Sequence, residues 1–150
     1  MKKFALMAAA FSALAFPTLA SAMTEAECTA AWNKADVNAD GTLTAPEGPR
    51  YFAILRITEK RTTDAPIAQT AFLGYCKAGN FDVAKPEAGA PLPGANSFTE
   101  AQASDRAVAA GLTSISALKK DDKGVWRGTA ADGTKNVSVA IDFKGNVVSN

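Results

Sequence analysis

The chain has 150 residues, sixteen of them basic and fifteen acidic, with no histidine and two cysteines. So even a charge balance gives no electrostatic reason to bind nucleic acid or an anionic membrane. The missing histidine removes the serine–histidine–aspartate and cysteine–histidine catalytic arrangements, together with the usual zinc and haem ligands.

Residues 1–22, MKKFALMAAAFSALAFPTLASA, have the layout of a cleaved export signal. Lys2 and Lys3 open it, an uncharged apolar run follows from Phe4 to Phe16, and Ala20, Ser21 and Ala22 supply the small residues of a cleavage site. The run falls short of the ~20 residues that span a bilayer, which argues against the alternative of a single membrane anchor. The expectation is a periplasmic or secreted chain that begins near Met23 and has no membrane span after cleavage. Cys28 and Cys76 lack the C-x-x-C redox spacing. In an oxidising compartment they are expected to form a structural disulfide, the alternative being two buried thiols.

From Thr24 to Ala35, helix-forming residues place Cys28, Ala31, Trp32 and Ala35 on one stripe, and Thr24 with Glu27 fits a capping box. Residues 36–47 then read DVNADGTLTAPE. Oxygen-bearing side chains fall at places 1, 3, 5 and 12, namely Asp36, Asn38, Asp40 and Glu47, with Gly41 at place six. A hard cation wants six to eight oxygens at about 2.3–2.6 Å, and this spacing offers them. The first three side chains point inward from a tight coil, and Gly41 permits the bend. Thr42 offers its carbonyl, Thr44 takes the axial place, and Glu47 gives two oxygens. Thr44 and Glu47 also fit a capping box for the outgoing helix, although Pro46 and Pro49 lie in its first turns. The other reading of these residues is a polar surface turn.

The next apolar segments, at 50–58 and 70–78, read as two further helices. Residues 79–96, with Pro86, Pro91 and Pro93, have the composition of a linker. A capping box at Ser97 and Glu100 then opens an alanine-rich helix that ends at Gly111. Three strands are expected after it, at 114–119, 125–131 and 136–143. In the third, Val137, Val139, Ile141 and Phe143 alternate with polar residues. Asp132-Gly133 marks a hairpin turn. Trp126 is expected either to form a binding face or to pack on the sheet. Asp121, Asp122 and Asp142 offer either a further cation site or plain turn carboxylates.

The stretch 36–47 resembles the EF-hand loop at all five of its defining places, and Leu43 stands at the apolar eighth place. EF-hands pair, and aligning Ile67 with Leu43 makes residues 60–71 a partner loop. There Lys60, Ala65 and Ala71 replace the first ligand, the glycine and the glutamate, and Asp64 is the carboxylate that remains. An unrelated loop between helices is the alternative. If the loops pair, Leu43 and Ile67 meet in a short β-bridge, and Cys28 and Cys76 become neighbours. Residues 97–150 resemble a PepSY-type domain through Gly111, residues 118–121, residues 124–130, Asp132-Gly133 and residues 139–147. That resemblance implies a binding or regulatory envelope module without catalytic residues.

The expected fold is α+β: an all-α EF-hand pair over 23–78, a linker over 79–96, and a helix on a three-stranded antiparallel sheet over 97–150. The expected function is that of an exported calcium-binding sensor or structural module, not an enzyme. It would take one Ca2+ per chain on Asp36, Asn38, Asp40, Thr42 and Glu47, with an envelope protein as candidate partner. One alternative is a lanthanide-binding protein. The lanthanide-selective EF-hands carry a proline at place two and an acid at place nine, whereas this loop has Val37 and Thr44. The other alternative is an inhibitor or regulator of an envelope enzyme.

Overall fold

The computed structural model describes residues 23–150, so the expected export signal lies outside the described residues. Helix α1 (Glu25–Ala35) is opened by the expected capping box of Thr24 with Glu27. After it come strand β1 (Thr42–Leu43), helix α2 (Pro49–Thr58), strand β2 (Ile67–Ala68) and helix α3 (Gln69–Lys77). Helix α4 (Glu100–Ala109) and strands β3 (Lys119–Lys120), β4 (Trp126–Asp132), β5 (Lys135–Ile141) and β6 (Val147–Ser149) complete the chain.

The expected fold class is corrected in two places. The first half is not all-α, because β1 and β2 form an antiparallel ribbon with Leu43 opposite Ile67. The second sheet has four strands in the order β3-β4-β5-β6, not three. The fourth strand was hidden by its length, since three residues are too few to show alternation. It exists because a turn at Asp142–Asn146 returns the chain along β5, pairing Ile141 with Val147. The strand expected at 114–119 shrinks to Lys119–Lys120, because Ser114 takes φ 49°, outside the extended region. What remains upstream is an isolated bridge between Thr113 and Ala131. The second capping box also moves: Thr99 and Gln102 form it, not Ser97 and Glu100. Helix α4 does end at Gly111, whose φ of 102° favours glycine.

The first core gathers Cys28 and Trp32 from α1, Leu43, Phe52 to Leu55 from α2, Ile67, and Phe72 and Cys76 from α3. Phe81 joins it from the segment after α3, its ring 4.8 Å from Tyr51 and 4.9 Å from Phe72. Cys28 and Cys76 form a disulfide across a separation of 48 residues. Closing such a loop restricts the unfolded chain, worth about 4 kcal/mol on the chain-entropy account.

The second core lies between α4 and one face of the sheet, with Ala103 and Ala107 against Leu118, Val139 and Ile141. Alanines on this helix face let helix and sheet approach closely. On the other face Val125, Ala140 and Val148 are buried. The proline-containing segment is tied to this sheet and its β3–β4 turn by backbone hydrogen bonds: Glu87 N–H to Val147 O in β6, and Gly94 N–H to Lys123 O in the turn. The two halves meet along α2 and α4. Arg50 Nε donates to the Ala109 carbonyl at 3.0 Å, and Arg56 clasps Asp105 through Nε and Nη2. Among the described residues no helix is long and apolar enough to cross a membrane.

Candidate metal centre

Residues 36–47 leave α1 at its C-cap, Asp36, which is only 6% exposed. A carboxylate at that depth needs donors, and the loop supplies them. Asp36 Oδ1 accepts from Asp40 N–H at 3.3 Å, and Oδ2 accepts from Gly41 N–H at 3.1 Å. Two left-handed residues, Ala39 at φ 55° and Gly41 at φ 82°, curl the backbone so that these amides turn inward. A Cβ on Gly41 would have nothing within 4 Å, so its backbone conformation, not space, calls for glycine.

Asn38 and Asp40 complete the coil. Asn38 Oδ1 accepts from Asp40 N–H and its Nδ2 donates to Asp40 Oδ2, both at 3.0 Å. Asp40 Oδ1 accepts from the Thr42 hydroxyl at 2.7 Å and the Thr42 N–H at 2.8 Å. These bonds, the hydroxyl's first, hold the Asp40 carboxyl below the usual aspartate range, so it is a charged oxygen donor at neutral pH. Three of the expected side-chain ligands are thus brought together by the loop's own backbone.

Glu47 is engaged elsewhere. Its Oε2 accepts from Thr44 N–H at 3.0 Å and from the Thr44 hydroxyl. Thr44 with Glu47 closes the turn that precedes α2, and the helix itself starts later, at Pro49, with Gly48 as an N-cap that makes no side-chain bond. Among the described residues no three aspartate, glutamate, cysteine or histidine side chains gather as a metal-binding group. The donor set is nonetheless all oxygen, which suits a hard cation and not a thiophilic one.

Beneath the loop Leu43 is fully buried, and Ile67 opposite it is 3% exposed. The second loop offers no comparable coil. Its one carboxylate, Asp64, is paired with Arg56 Nη1 at 2.7 Å, and Arg61 Nη2 donates to the Ala65 carbonyl. Beside the first loop a shallow cavity of about 380 Å³ opens between Trp32, Asp36, Gly41 and Gln69, which sets an indole close to the candidate ligands.

Of the further candidate carboxylates Asp121, Asp122 and Asp142, the first and the last cap turns. Asp121 Oδ1 accepts from Lys123 and Val125 N–H and Oδ2 from Arg127 Nε, and the Arg127 bond leads in lowering its pKa. Asp142, 1% exposed, accepts from Lys144 and Asn146 N–H and from Asn146 Nδ2. Trp126 packs on the second core and donates its indole N–H to the Phe98 carbonyl at 3.1 Å.

Two residues that matter to the loop carry no sequence signal. Gly48 lies so close over Leu43 that a Cβ there would come within 2.7 Å of Leu43 Cδ2. Arg56 connects the second loop to α4 by holding Asp64 and Asp105 at once. Neither relation has a fixed spacing from which to be read. No protein-family model, no curated protein and no solved structure matches the chain.

Proposed function

We propose that this chain is an exported, non-enzymatic calcium-binding protein with one EF-hand-like site in residues 36–47. The observation that carries the reading is the inward coil of Asp36, Asn38 and Asp40 around Gly41, with Leu43 paired to Ile67 beneath it. An ion would be held by those three side chains, the Thr42 carbonyl, and Glu47 once its carboxylate exchanges Thr44 for the metal. The second loop serves as a packing partner, because Asp64 is committed to Arg56. The C-terminal half is a PepSY-like binding or regulatory module whose natural contact is an envelope protein. The disulfide and the expected export signal support an oxidising compartment.

Terbium luminescence tests the site. Excitation of tryptophan is expected to give sensitised terbium emission through Trp32, and millimolar calcium is expected to quench it by displacement. Absence of sensitised emission contradicts the site. Emission that excess calcium leaves intact contradicts calcium as the ion and favours a lanthanide.

A further inference from the structure

A cavity of about 300 Å³ between the two halves carries chemistry that the metal loop does not use, and its size is within the range of small-ligand sites. Ile57 of α2, Arg106 of α4, Lys85 and Glu87 of the connecting segment, and Lys144 and Val147 around the β5–β6 turn line it. Three cations face one carboxylate there.

Arg106 is the informative member. It is half-buried, and among the described residues its guanidinium enters no ion pair. One hydrogen bond holds it, from Nη1 to the Gln102 carbonyl at 3.1 Å. Its position is fixed by packing: the guanidinium carbon lies 3.7 Å from the centre of the Phe98 ring, and Gly145 approaches it so closely that a Cβ would come within 2.5 Å of Nε. A guanidinium remains charged under these conditions, and a partly desolvated, unpaired charge favours any anion that reaches it. Burial, the leading cause, lowers its pKa and outweighs the opposing charge of Asp105, so the desolvation is only partly relieved. A planar fork held flat by a ring is suited to a planar, bidentate acceptor. The rest of the wall supplies aliphatic surface from Ile57 and Val147, while Glu87 disfavours a densely charged anion.

We propose that this cavity binds a small organic monocarboxylate, with its carboxylate on the Arg106 fork between Lys85 and Lys144 and its short aliphatic tail against Ile57 and Val147. The site does not depend on the ion in residues 36–47. The test is a titration of the 15N-labelled protein at constant ionic strength with sodium butyrate, its neutral isostere butyramide, and inorganic phosphate. Saturable shifts of the Arg106, Gly145 and Asn146 amides are expected with butyrate and not with butyramide. Arg106→Gln is expected to weaken butyrate binding at least tenfold, and Lys144→Gln, at an exposed position, several-fold with an unchanged circular dichroism spectrum. The proposal is overturned by an absence of saturable shifts, by an equal response to butyramide, or by tighter binding of phosphate than of butyrate. Where Arg106→Gln does not fold, unchanged butyrate affinity in Lys144→Gln overturns it as well.

Discussion

The Glu47 carboxylate is bound to Thr44, taking both its N–H and its hydroxyl through one oxygen. On the proposed reading, ion capture would exchange these two local hydrogen bonds for coordination. Glu47→Gln keeps a carbonyl oxygen to accept from Thr44 but loses the charge and the second anionic donor. Calcium affinity is expected to fall roughly tenfold or more, as ligand charge governs such sites. Stability in the presence of chelator is expected to change by less than about 1 kcal/mol, because the turn-closing bonds survive. Calorimetry and urea denaturation measure the two effects separately.

The ribbon under the loop is the second determinant. Leu43 is fully buried and Ile67 lies opposite it in register. Ile67→Ala removes packing from both loops at once and is expected to cost about 2–4 kcal/mol. Gly48→Ala forces a methyl group onto Leu43 and is expected to cost about 1–3 kcal/mol. Both are expected to weaken calcium binding although neither residue offers a ligand, which a titration of each variant with calcium checks.

Arg56 and Asp105 join α2 to α4 with side chains 31% and 20% exposed. Partial exposure limits such a pair, although two-point contact through Nε and Nη2 favours it. A double-mutant cycle with Arg56→Ala and Asp105→Ala is expected to give a coupling of about 1 kcal/mol. Asp64→Ala, on the more exposed arm of Arg56, is expected to show less.

Asp142 makes the stability depend on acid. Burial alone would raise its pKa, but the hydrogen bonds from Asn146, Leu92 and Lys144 outweigh it and hold the carboxyl below the usual aspartate range. A depressed folded-state pKa contributes stability that is fully present above the unfolded value, near 3.9, and is lost as pH falls through the folded one. Asp142→Asn turns an amide donor toward these donors and is expected to cost about 1–3 kcal/mol at pH 7. The gap between wild type and variant is expected to narrow below about pH 4, as urea midpoints across pH would show.

Local signals carried most of the elements. The spacing of Cys28, Trp32 and Ala35 fixed α1 and alternation from Val137 to Ile141 located β5, whereas the pairing of Ile67 with Leu43 was expected only through the resemblance to paired loops. Misplaced features depended on contacts between distant residues. Strand β6 is defined by its pairing with β5 and with Glu87, and neither partner is visible in a three-residue run. The segment 79–96 has the composition of a linker, and its contacts are long-range: Phe81 enters the first core, Glu87 bonds to β6 and Gly94 to Lys123 in the β3–β4 turn. Its prolines and glycines reflect an extended path over the sheet as well as they reflect a tether. In the candidate site, the coil of Asp36, Asn38 and Asp40 was legible because it is held by bonds within five residues. The rotamer of Glu47 was not, because two hydrogen bonds from Thr44 draw its carboxylate into the turn that precedes α2.

The central claim, one calcium ion in residues 36–47, is tested most directly by calorimetric titration of calcium into wild type and the Asp36→Ala/Glu47→Ala variant. The account predicts a single site per chain in wild type and no measurable binding in the variant, with a circular dichroism spectrum that keeps its helical signal. Undiminished calcium uptake by the variant would contradict it, as would a wild-type protein that binds no calcium.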